Sequence, residues 1–332
     1  MPLVASSYVA PLWLPGAHLQ TIVPARFMRL PAMAYRRERW ETPDSDFIDV
    51  DFALPEPAAT VAPTLVMFHG LEGDSQSHYA RSTMRWFADR GWRGVVIHFR
   101  GCSGEPNRLP RAYHSGDSAE GDWVLRAVRA RWPDAPLYAV GISLGGNMLA
   151  KWAGEREQDA SFVTAAASIG SPLDLAAGGA ALGRGFNMIY TRMFLVTLKG
   201  KALAKLQQFP DIARDGEYPR RLRASRNLYE FDNEYTAPLH GFRNTEDYWY
   251  RASGKPWLRA VRIPLLVLNA RNDPFVPAPS LPQPPDVSPQ VELEQPAHGG
   301  HIGFARGPWP GRIDFIAERL HRFFTQREPS LP

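Results

Sequence analysis

Compact apolar runs that end in glycine or a polar turn recur along the chain. Thr64–Phe68 (TLVMF) runs into His69-Gly70. Residues 94–99 (GVVIHF), Leu137–Ile142 (LYAVGI), 165–170 (AAASIG) and 264–270 (PLLVLNA) repeat the theme, with a weaker run at 291–295 (VELEQ). Runs that are continuously apolar, rather than alternating, predict strands buried on both faces, as in a parallel sheet. Between the first runs, residues 79–90 carry Met84, Phe87 and Ala88 at helical spacing, and residues 119–131 carry Trp123, Ala127 and Val128. Strand and helix therefore alternate. The alternation predicts an α/β fold with a mostly parallel, doubly wound sheet, whose ligand sites lie beyond the carboxyl ends of the strands.

The rhythm breaks between residues 175 and 254. That stretch carries aromatic and basic residues and a helical pattern over 186–206, but no convincing strand. It is predicted as a helical cap inserted into a single domain spanning residues 1–332, covering the strand ends and shaping a pocket; ordinary packing helices are the alternative. Residues 278–289 (APSLPQPPDVSP) are too rich in proline for a helix or central strand and are predicted as a loop. Ile313, Ile316, Leu320 and Phe323 predict the apolar face of a last helix.

Composition narrows the function classes. Of 332 residues, 44% are hydrophobic and 22% charged, ordinary values for a folded enzyme. The net charge of +4 is spread thinly, without a basic block or a nucleic-acid-binding signature, so no nucleic-acid partner is expected. Cys102 is the sole cysteine, which rules out an internal disulfide and a multi-cysteine metal site and suits a reducing compartment. The first ten residues lack the basic and apolar regions of a secretory signal, and no run of about 18 apolar residues could span a bilayer. The expectation is a soluble, cytoplasmic protein.

Gly141-Ile142-Ser143-Leu144-Gly145 stands between a predicted strand and a helix-like stretch at 147–154, the strand–turn–helix context of a nucleophile elbow. A serine hydroxyl is a poor nucleophile at neutral pH and needs a base, itself oriented by an acid. On this fold the chain order is serine, acid, histidine. Asp273 follows the 264–270 run, and His301 lies in His298-Gly299-Gly300-His301 after the last predicted strand. Asp174 competes for the acid role and His298 for the base; the glycines flanking His301 favour it, because they permit a tight loop. The backbone amides of Leu71, after His69-Gly70, and of Leu144 are the expected oxyanion donors, with His69 supporting the turn. His69 and Asp74 also form the H-x-x-x-x-D spacing found in some acyltransferases.

Longer motifs surround these residues: WLPGAHLQTI from Trp13, HGLEGDSQSHY from His69, HFRGCSGEPNRLPRAYHSGDS from His98, GISLGGNML from Gly141, YTAPLHGF from Tyr235, NARNDPFVP from Asn269 and HGGHIGF from His298. In these the chain resembles the YheT-like group of α/β-hydrolases, bacterial relatives of the eukaryotic α/β-hydrolase-domain lipases. The resemblance implies carboxylic-ester hydrolysis through an acyl-enzyme, with Ser143 as nucleophile, Asp273 as acid and His301 as base. It implies no metal and no cofactor, and a small-molecule ester or lipid as substrate, from short-chain esters to acylglycerols. Residues 306–311 (RGPWPG) depart from a smooth entry into the last helix. Phe186, Met188, Ile189, Tyr190, Met193, Phe194, Leu195 and Leu198 are apolar enough to line an acyl pocket or touch lipid, a core-facing helix being the expected account. Lys199, Lys201 and Lys205 hint at attraction to anionic lipid, so peripheral membrane contact is a further expectation. Two alternatives stay open: acyl transfer to an acceptor other than water, and non-catalytic binding of a hydrophobic ligand. A dehalogenase or epoxide hydrolase needs aspartate where Ser143 stands.

Overall fold

The computed structural model describes residues 2–53 and 61–327. One sheet contains β1 (Leu3–Val4), β2 (Arg36–Glu41), β3 (Phe47–Ala53), β4 (Thr64–Phe68), β5 (Arg93–Ile97), β6 (Leu137–Ile142), β7 (Ala165–Ile169), β8 (Leu265–Leu268) and β9 (Val291–Glu294). The order across it is β1-β9-β8-β7-β6-β4-β5-β3-β2. Every neighbouring pair from β1 to β5 is parallel, while β3 runs antiparallel to both β5 and β2. Strands β4 to β7 are buried along their whole length, which is why they read as unbroken apolar runs.

Helix α1 (Ala17–Arg26) precedes the sheet core. Helices α2 (His78–Ala88) and α11 (Phe315–Thr325) cover one face, where Met84, Phe87, Leu320 and Phe324 pack on Val96 and Tyr138. Helices α3 (Ser118–Arg131) and α4 (Leu144–Arg156) cover the other, through Val124, Val128, Met148 and Trp152 against Val66 and Val95. The sheet is therefore doubly wound. Strand β4 lies between β5 and β6, so the chain winds outward in both directions from it, and the crevice at the carboxyl ends of β4 and β6 is the switch point where ligands bind in such sheets.

The hairpin of β2 and β3 has no counterpart among the unbroken apolar runs of the sequence. Strand β3 (FIDVDFA) is wholly buried, yet it carries Asp49 and Asp51. Arg39 from β2 pairs with Asp49 at 2.8 Å and Arg37 with Asp51 at 2.7 Å, so the carboxylates are neutralised across the ladder. Ile48, Val50 and Phe52 alternate with these carboxylates and join the core, a strand pattern that a search for unbroken apolar runs passes over.

Between β7 and β8 the chain forms α5 (Leu175–Leu182), α6 (Met188–Gln208), α7 (Tyr218–Ala224), α8 (Leu228–Phe231), α9 (Ala237–Leu239) and α10 (Thr245–Ala252). A π turn over Asp232–Thr236 joins α8 to α9. The expectation of a core-facing α6 needs correction. Tyr190 and Leu195 are buried, but Phe186, Ile189, Met193 and Val196, on α6 or just before it, are exposed. The lysines read as a hint of lipid attraction are also engaged internally: Lys199 donates to the carbonyls of Arg223 and Ser225, Lys201 pairs with Glu72, and Lys205 donates to the carbonyls of Asn107 and Leu109. Residues 306–311 form a separate turn closed by a bridge between Arg306 and Arg312, which delays the last helix to Phe315.

Candidate active site

Strand β6 ends at Ile142 and α4 begins at Leu144, so Ser143 alone makes the turn. It does so at φ 52° and ψ −116°, a left-handed conformation that few non-glycine residues adopt. Its amide donates to Ile169 O at 2.8 Å, and its carbonyl accepts from Gly146 and Asn147 N–H at 3.0 Å, tying the turn to β7 and to the first turn of α4. The glycines provide room for this close packing. A Cβ on Gly141 would sit 2.3 Å from Gly145 O, and one on Gly145 would sit 2.5 Å from Phe68 O. The hydroxyl thus stands above the sheet at the N-terminus of α4, where the helix dipole favours negative charge.

Two loops meet it from the far side of the sheet. His301 Nε2 lies 3.1 Å from Ser143 Oγ, and His301 Nδ1 lies 2.8 Å from Asp273 Oδ2. The carboxylate accepts a hydrogen bond from Nδ1–H, leaving Nε2 as the acceptor for the serine hydroxyl. Asp273 Oδ1 accepts from Phe275 N–H at 2.7 Å, and its side chain is fully buried. The Phe275 ring stacks on the imidazole at 4.1 Å between centroids and limits its rotation. The competing candidates lie elsewhere. Asp174 caps α5 by accepting from Ala177 N–H at 3.0 Å, and His298 is exposed.

The loop that carries His301 is held by residues that sequence reasoning passed over. Gln20 Oε1, on α1, accepts from Gly299 N–H at 2.9 Å, and Thr21 Oγ1 accepts from His301 N–H at 2.9 Å. His78 Nε2 donates to Ile302 O at 3.1 Å; burial pushes this imidazole down to about 4, so it stays neutral. A Cβ on Gly303 would lie 1.7 Å from Gln20 O, so the loop and α1 fit only with glycine there. The available signals were the WLPGAHLQTI and HGLEGDSQSHY motifs, which carried the resemblance without a role for these polar residues.

The turn after β4 approaches Ser143 from the other side, and a Cβ on Gly70 would be 3.2 Å from Ser143 Cβ. Tyrosine hydroxyls occupy the amides on either side of Leu71: Gly70 N–H donates to Tyr79 Oη and Glu72 N–H to Tyr113 Oη, both at 3.0 Å. His69 supports the turn. Phe99 N–H donates to its Nε2 at 3.1 Å, and its Nδ1 donates to Gly70 O at 2.7 Å. With both nitrogens bonded and burial lowering its pKa to about 3, His69 has no free nitrogen for the H-x-x-x-x-D chemistry.

A cavity of about 110 Å³ opens at this point. Ser143, Leu71 and Leu144 line it together with Leu175, Phe194 and Leu198 from the β7–β8 crossover. Over residues 63–308 the sequence matches the family described as the alpha/beta hydrolase fold. The chain is an α/β hydrolase. This α/β hydrolase is 40% identical to Escherichia coli (strain K12) YheT, whose name calls it a candidate esterase, over 88% of this chain and 85% of that protein. It is 29% identical to mouse phospholipase ABHD3, over 98% of this chain and 79% of that one. Among solved structures, the Pyrococcus furiosus esterase PF2001 superposes with a TM-score of 0.56 at 14% identity, covering 90% of this chain and 92% of the other. At that identity the likeness shows the fold alone.

Proposed function

We propose that this α/β hydrolase is a serine carboxylic-ester hydrolase in which Ser143, His301 and Asp273 form the catalytic triad. The observation that carries the reading is the continuous hydrogen-bonded line from Ser143 Oγ to His301 Nε2 and from His301 Nδ1 to Asp273. His301 takes the serine proton as Oγ attacks the ester carbonyl, and Asp273 stabilises the imidazolium. The Leu71 and Leu144 amides hold the oxyanion, His301 returns the proton to the departing alcohol, and water then clears the acyl-enzyme. Relatives named as an esterase and a phospholipase support ester chemistry.

The β7–β8 crossover acts as the cap over this site and limits the acyl group. A cavity of about 110 Å³ is smaller than the ~150 Å³ apolar cavity that holds one benzene, so short acyl chains fit without movement of the cap. A p-nitrophenyl ester series tests both parts. Wild type is expected to favour butyrate and hexanoate over palmitate, and Ser143→Ala to lose about 10⁴-fold or more in kcat. Preference for palmitate would refute the closed-cap reading.

Outside the cavity, we also propose a peripheral membrane contact. Phe186, Ile189, Met193 and Val196 are 50%, 44%, 47% and 74% exposed. Exposed Arg184 and Arg192 flank them, and no aspartate or glutamate occurs between Asp174 and Asp211. An exposed apolar stripe with basic neighbours suits an anionic lipid surface.

A further inference from the structure

Asp232 is a buried carboxylate that the proposed mechanism does not use. It opens the π turn between α8 and α9, a backbone form that is rare and concentrated at functional sites. Thr236 Oγ1–H donates to its Oδ1 at 2.6 Å and Trp249 Nε1–H to its Oδ2 at 2.8 Å. Among the described residues no cation pairs with it. The residue is half-buried, and it lines the cavity that contains Ser143.

A carboxylate offers about four lone-pair sites, and two are taken, so it retains acceptor capacity toward the cavity. Burial pushes its pKa up to about 6, the direction expected of a carboxyl in an apolar wall without a counter-ion. What satisfies it must bring a hydrogen-bond donor. An ammonium group would pay its own large desolvation cost on entering, whereas a hydroxyl pays little.

Resting on the reading of Ser143 as nucleophile, we propose that Asp232 is a specificity-determining residue that accepts a hydrogen bond from a hydroxyl on the acyl or alcohol arm of the ester. The preferred substrates are then hydroxylated short-chain esters, with the hydroxyl held at the Asp232 wall and the carbonyl at Ser143.

The test is kcat/KM for matched ester pairs: glycerol monobutyrate against propyl butyrate for the alcohol arm, and ethyl 3-hydroxybutyrate against ethyl butyrate for the acyl arm. Wild type is expected to favour the hydroxylated member of one pair by about tenfold or more, the scale of a hydrogen bond to a charged group. Asp232→Asn should reduce that ratio to about twofold or less by lowering kcat/KM for the hydroxylated member more than for the plain ester, and Asp232→Glu should restore part of it. A merely structural role would lower both members equally and leave the ratio intact. Absence of a hydroxyl preference in wild type overturns the proposal without any variant, as does preference for a 2-aminoethyl ester over its hydroxyethyl counterpart. If the plain esters are turned over normally while the ratio is flat, only Asp232 is misassigned. If wild type turns over neither member, the Ser143 reading fails and this proposal with it.

Discussion

Ser143, Asp273 and His301 come from three loops that follow β6, β8 and β9, and two hydrogen bonds join them. That these three residues meet was legible because an elbow needs glycines at fixed offsets and because buried strands announce where loops begin. The choice between Asp273 and Asp174 is now a geometric matter. Asp273→Asn is expected to cost about 10⁴-fold in kcat, since it favours the wrong imidazole tautomer. Asp174→Asn keeps a capping side chain and should leave kcat within about twofold. Equal losses in the two variants would refute the acid assignment. Gln20, Thr21 and His78 were not legible, because single polar residues that bond backbone groups of a distant loop leave no periodic trace. Gln20→Ala should free Gly299 N–H and the His301 loop, lowering kcat by about 10²-fold, the scale of a small misplacement. Unchanged kcat would show that α1 does not position the base.

At the scale of elements, the continuous apolar runs all became strands, those at Thr64–Phe68 and Leu137–Ile142 residue for residue and the others shortened mainly where the carbonyl end turns into a loop. The run at 94–99 is the strand Arg93–Ile97, and that at 264–270 is Leu265–Leu268. Helices α2 and α3 also fall where the spacing put them. The β2–β3 hairpin escaped because β3 alternates Ile48, Val50 and Phe52 with Asp49 and Asp51 instead of forming an unbroken apolar run. Helix α6 is expected from sequence to face the core, with an acyl pocket or a lipid surface as the alternatives, and it divides: Phe194 and Leu198 line the cavity, while Ile189, Met193 and Val196 face outward. Co-sedimentation with vesicles tests the outward side. Binding is expected to phosphatidylglycerol-containing vesicles and to weaken several-fold in Ile189→Ser/Val196→Ser, with p-nitrophenyl butyrate hydrolysis unchanged. Equal sedimentation of both proteins would remove the membrane contact from the account.

For the whole molecule, the burial that builds the site also sets its acid sensitivity. His69, His78 and His114 are pushed down to about 3, 4 and 3 by desolvation, against 6.5 in the unfolded chain. Each is folded in its neutral form, so its contribution to stability is fully present above pH 6.5 and is lost as pH falls toward 4. Asp232 and Glu120, raised by burial, act in the opposite sense and gain stability on acidification. The imidazoles outnumber them, so the melting temperature is expected to drop between pH 6.5 and 5; a rise would show that the buried carboxyls dominate. The proposed catalysis rests on a narrower point, the reactivity of one hydroxyl. Reaction with a fluorophosphonate probe, followed by peptide mass spectrometry, reads it directly. The account predicts a single adduct on Ser143 that is absent in Ser143→Ala and strongly slowed in His301→Ala, whereas labelling that persists in Ser143→Ala would contradict it.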